Sequence, residues 1–72
     1  DRGVEALLMG LRLAEGVDLD RIAKMAGRDP VDRNAVAHLI EQGLLEQQDE
    51  RLRATRAGML LLDSILVKVV AA

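Results

Sequence analysis

Three times before Leu44 the chain runs an apolar stripe of helical spacing into a glycine. Val4, Leu7, Leu8 and Leu11 recur at i, i+3, i+4 and i+7, which predicts a helix to about Glu15 with Gly16 as its left-handed stop. Asp18 reads as the N-cap of a second helix, with Asp20 in the first turn where the helix dipole favours an acid. Leu19, Ile22, Ala23 and Ala26 make its stripe, and Gly27 closes it. In Asp29-Pro30-Val31-Asp32 the order predicts N-cap, first helical position and third position of another helix. Its buried face is expected at Val36, Leu39 and Ile40, and Gly43 ends it.

The pattern then changes period. LLEQQDERLRAT alternates apolar and polar residues on both sides of Gln48-Asp49-Glu50, which predicts two short antiparallel strands joined by a turn. Leu45, Leu52 and Ala54 would face inward, and Arg51 and Arg53 would face water. Thr55 caps a last helix whose core stripe is Leu62, Ile65, Leu66 and Val69. The expected fold is mainly α with a small β-hairpin, a winged-helix-like α-α-α-β-β-α order in a single domain over 1–72. No internal repeat, linker or low-complexity segment interrupts it.

The chain has 72 residues, enough for one small core; at this size about 60% of the unfolded surface is buried. A large cofactor has no room inside. With no Phe, Tyr or Trp there is no aromatic platform for base stacking, and with no Cys there is no disulfide, thiolate zinc site or iron–sulfur ligation within this segment. Absence of cysteine is compatible with a reducing, cytoplasmic setting. A net charge of -2 argues against broad phosphate binding. No apolar run reaches the roughly 18 residues of a membrane span, and no signal peptide opens the chain. Because it begins Asp1-Arg2 without methionine, it is expected to be cut from something longer.

Few residues are candidates for chemistry. A winged-helix order first suggests DNA, with the third helix in the major groove and the hairpin on the backbone. Arg33, Arg51, Arg53 and Arg56 would then make the contacts, against repulsion from Asp29, Asp32, Glu41, Glu46, Asp49 and Glu50 along the same edge. The competing expectation is that these arginines are solvated and paired with the acids. His38 is a lone histidine with no second ligand at helical spacing. Ser64 and Thr55 have no histidine at a recognisable motif spacing, so no catalytic residue is assigned.

The last helix is unusual, because beyond its core stripe it carries Leu60, Leu61, Val67 and Val70. A helix apolar on more than one face is buried on more than one face. Met9, Leu13 and Met25 also lie off their stripes, and the surplus suggests docking against another domain or subunit. Arg12 sits one step past Leu11, so its stem can pack while its guanidinium reaches a carboxylate. That carboxylate is expected to be Glu15, or one from a neighbouring domain or ligand.

GLRLAEGVDL from Gly10 to Leu19, AVAHLIEQGLLE from Ala35 to Glu46 and RLRATRAGMLLLDSIL from Arg51 to Leu66 resemble the C-terminal domain of oxygen-independent coproporphyrinogen III oxidase-like proteins, the HemN/HemW family. The most specific pieces are the Gly-Leu-Arg-Leu helix end before Glu-Gly-Val-Asp, and the Thr-x-x-Gly at Thr55 and Gly58. Where the family commonly reads Leu-Thr-Pro, this chain has Ala54, Thr55 and Arg56, which keeps the cap.

The resemblance implies a cytoplasmic radical S-adenosylmethionine parent whose N-terminal barrel holds a 4Fe-4S cluster on Cys-x-x-x-Cys-x-x-Cys. That motif is absent here. Implied partners are the N-terminal barrel of the same chain and, through the parent, a porphyrinogen or haem. The implied activity is either oxidative decarboxylation of coproporphyrinogen III or haem delivery. Arg12 is then expected at the domain junction or near a propionate, since its planar fork donates two parallel hydrogen bonds to a carboxylate.

Overall fold

A computed structural model describes residues 2–71. The order is α1 (Arg2–Gly10), β1 (Val17–Asp18), α2 (Leu19–Ala26), α3 (Arg33–Glu41), β2 (Leu45–Gln48), β3 (Arg51–Ala54), α4 (Arg56–Leu60) and α5 (Leu62–Val69). The mainly helical domain with a hairpin expected from the sequence is present, with one strand added and the last helix divided.

The hairpin follows the alternation. β2 and β3 pair antiparallel from Leu45 opposite Ala54 to Gln48 opposite Arg51, and Leu45, Leu52 and Ala54 are buried while Arg51 and Arg53 are exposed. Asp49 closes the turn at φ 54°, a left-handed conformation that Asp tolerates better than most residues.

The added strand explains GLRLAEGVDL. α1 ends at Gly10, not near Glu15, and the chain unwinds through turns in which Leu13 N–H donates to the Gly10 carbonyl at 3.0 Å and Gly16 N–H to that of Leu13 at 3.0 Å. This shift from helix to turns lets Val17 and Asp18 pair with Leu52 and Arg51, making a sheet of order β1-β3-β2. Gly16, at φ 73°, packs on the Leu52 carbonyl with no room for a Cβ. Asp18 then ends the strand and caps α2, its Oδ1 accepting from the N–H groups of Asp20 at 3.0 Å and Arg21 at 3.2 Å.

The third helix starts later than Pro30 predicts. Asp32 is its cap, accepting from Asn34 and Ala35 N–H at 3.0 and 3.2 Å. Residues 30–32 are instead held in extended contact with the end of α5: Asp32 N–H donates to the Val69 carbonyl at 2.8 Å and Ala71 N–H to that of Pro30 at 2.9 Å. Asp29 caps the turn before it, accepting from Val31 N–H at 3.2 Å. Val36 and Leu39 are buried, but Ile40, one step round the helix, is exposed.

The last helix breaks at Leu61, where φ is -119° and N–H reaches the Gly58 carbonyl three residues back. The two halves have different anchors. α5 lies on α3 through Ile65, Leu66 and Val69, and Val70 bridges to Val31. α4 is pinned by Thr55, whose hydroxyl donates to the Gly43 carbonyl at 2.6 Å and accepts from Gly58 N–H at 3.1 Å. Gly58 rests directly on the Leu44 carbonyl, leaving no space for a Cβ. Leu62, expected in the stripe, is half-buried at the break.

Helix propensity alone would make Gly58→Ala stabilising by about 0.5–1 kcal/mol. The seat on Leu44 reverses the sign: equilibrium denaturation should show Gly58→Ala destabilised by about 1–3 kcal/mol, as for other overpacked sites.

Candidate functional site

The core consists of aliphatic side chains, and among the described residues no polar or charged side chain is buried. No group of three or more His, Cys, Asp and Glu among them could hold a metal ion. His38 is exposed near the end of α3. Any function of these residues therefore lies on the surface, in two places.

The first is the hairpin edge that carries the arginines. Arg33, in the first turn of α3, donates Nε–H to Asp29 Oδ2 at 2.8 Å and lies 3.8 Å from Glu50. Arg53 pairs with Glu46, directly across the hairpin. Arg51 donates to the Glu15 backbone carbonyl at 3.1 Å. Arg56 makes no ion pair among the described residues. Three of the four cations are thus engaged by neighbours within the domain, and acidic Glu46, Asp49 and Glu50 stand among them. The edge presents mixed charge where a phosphate-binding surface would present one sign.

The second place is the α4–α5 break. The expected Arg12–Glu15 pair does not form. Arg12 instead faces Asp63, with 3.9 Å between Nη2 and Oδ1. The turns after Gly10 send Glu15 towards the hairpin, where its carbonyl meets Arg51, and leave Arg12 towards α5. Beside Arg12, Leu60 is 84% and Leu61 51% exposed. Val67 is exposed as well, on the outer side of α5, whereas Val70 is partly buried against the core and belongs to the bridge with Val31. Met9, Leu13 and Met25 are exposed, as their positions off the stripes imply.

With this geometry in place, the comparison with known families decides. The HemN C-terminal domain family model matches residues 1–61. The chain belongs to that family. No curated protein and no solved structure matches it. The match runs from α1 through α4 to Leu61, so this HemN C-terminal domain includes both exposed leucines at the break and the Thr55–Gly58 pair within the matched region, and all of α5 lies beyond it. Among the described residues, no helix is long and apolar enough to cross a membrane.

Sequence reasoning missed Asp63 as the partner of Arg12, because the two are remote in the chain and meet only through the unwound end of α1. The expected pairing of the arginines with nearby acids is realised between Arg33 and Asp29 at i, i+4 spacing, whereas the expected cap of the third helix at Asp29 falls instead to Asp32. The Arg33 hydrogen bond holds the Asp29 carboxyl below its ordinary value of 3.8, against the slight opposing effect of burial. A pKa lowered by folding stabilises the fold above the ordinary value and loses that contribution as pH falls through the folded one. Arg33→Gln should therefore lower stability by about 0.3–0.5 kcal/mol at pH 7, the usual size for an exposed pair. Urea titrations across pH should show the difference from the parent sequence closing below pH 3.8.

Proposed function

We propose that this domain is a non-catalytic accessory domain of a radical S-adenosylmethionine protein related to oxygen-independent coproporphyrinogen III oxidase or to its haem-chaperone relatives, seated on the catalytic barrel that precedes it in the chain. The family match over residues 1–61 carries the reading. The exposed Leu60 and Leu61 support it, because adjacent apolar side chains on a surface mark a site of contact.

The chemistry of the parent would be supplied elsewhere. A 4Fe-4S cluster is held by cysteine thiolates, and this segment has none, so its residues do not fit that group and no step is routed through it. The mixed-charge hairpin edge gives nucleic-acid binding no support. What the domain offers its parent is an ordered surface, with arginine and leucine side chains on a rigid core.

Two measurements test the reading. The coding sequence upstream of residue 1 is expected to carry three cysteines spaced Cys-x-x-x-Cys-x-x-Cys; a ligand-sensing domain in that place would contradict it. Full-length protein titrated with duplex DNA should show no micromolar binding that weakens with salt, and a steep salt dependence would overturn it.

A further inference from the structure

Helix breaks usually occur at Pro or Gly, and Leu61 is neither. The different anchors of α4 and α5 break the helix here and leave two adjacent leucines facing water. Arg12 and residues 59–64 line one shallow recess beside them. The Arg12–Asp63 contact across that recess is long, and its side chains are 57% and 97% exposed, so it holds Arg12 only weakly. The recess therefore pairs uncovered apolar side chains with a cation that can readily be drawn to another acid.

We infer that this recess receives the preceding domain of the same chain, through an apolar segment carrying a carboxylate that takes Arg12 over from Asp63. The inference rests on the accessory-domain reading above and adds where the contact lies and what chemistry makes it. Charge complementarity calls for the carboxylate: a guanidinium beside a desolvated apolar contact is satisfied by a two-oxygen acceptor. Area favours a tethered occupant over a second copy. A stable complex between separate chains buries about 800 Å² and roughly 20–30 residues on each partner, whereas only Arg12 and residues 59–64 line this recess. A partner in the same chain is present at an effective concentration in the millimolar range, where so small a contact suffices. The family match gives such a partner, since a C-terminal domain follows other sequence, and it includes Leu60 and Leu61 but not Val67.

The test is carbene footprinting of the full-length protein, each residue's labelling being divided by that in the urea-unfolded chain. Leu60 and Leu61 are expected to label about tenfold less than Val67 and Met25, which are exposed outside the recess. Arg12→Glu should restore labelling at both leucines. Asp63→Asn, which frees Arg12 without removing it, should leave them protected. Labelling of Leu60 and Leu61 equal to that of Val67 would overturn the inference. Protection at Met25 or Val67 in their place would overturn the recess while leaving the docking reading intact, and no protection at any exposed apolar position would overturn both. Protection that appears only as protein concentration rises would assign the recess to a second copy. Protection that survives Arg12→Glu would contradict the carboxylate.

Discussion

β3 is paired on both edges, and the rest of the domain depends on it. Leu52, at its centre, is fully buried between Val17 of β1 and Gln47 of β2. To supply that first edge the chain must leave α1 at Gly10, and the six residues that follow are spent in turns before Val17. The same pairing fixes the start of α2, because Asp18 is both the last strand residue and the cap. At its other end β3 delivers Ala54 and Thr55 to the seat under Gly58. Three helices thus take their positions from one strand of four residues.

The features that proved legible in the sequence were those with local causes. The hairpin was readable because alternation places Leu45, Leu52 and Ala54 on one face whatever they pack against. Caps at Asp18 and Thr55 were readable because each bonds N–H groups two or three residues away. The features that were not legible depend on distant partners. β1 is too short for any period to reveal it. Pro30 carries a strong local signal for a helix start, yet pairing of 30–32 with the end of α5 outweighs it. Nothing near Leu61 signals a break, because its cause is the separate anchoring of α4 and α5. The candidate site shares this division: the surplus leucines were evident from their positions, whereas the Arg12–Asp63 contact required the unwound chain after Gly10.

The motifs that carried the family resemblance now have physical roles. Gly10 and Gly16 are close-approach positions against Val17 and the Leu52 carbonyl, and Thr55 with Gly58 forms a cap on a glycine seat. These residues build the scaffold and touch no chemistry. The interaction surface comes from what the scaffold leaves outside. A fixed fold that keeps its polar groups at the surface and its core aliphatic suits a domain that presents a contact to the rest of its chain.

The most direct measurement is amide hydrogen exchange in the full-length protein, read at residues 61–63. A five-residue helix ending in a single three-residue-back hydrogen bond should open readily when exposed. Cover by the preceding domain would instead protect these amides as strongly as Ile65 and Leu66 in the core. Exchange at 61–63 as fast as at the Asp49–Glu50 turn would mean that the break stays bare, and docking at this recess would be wrong.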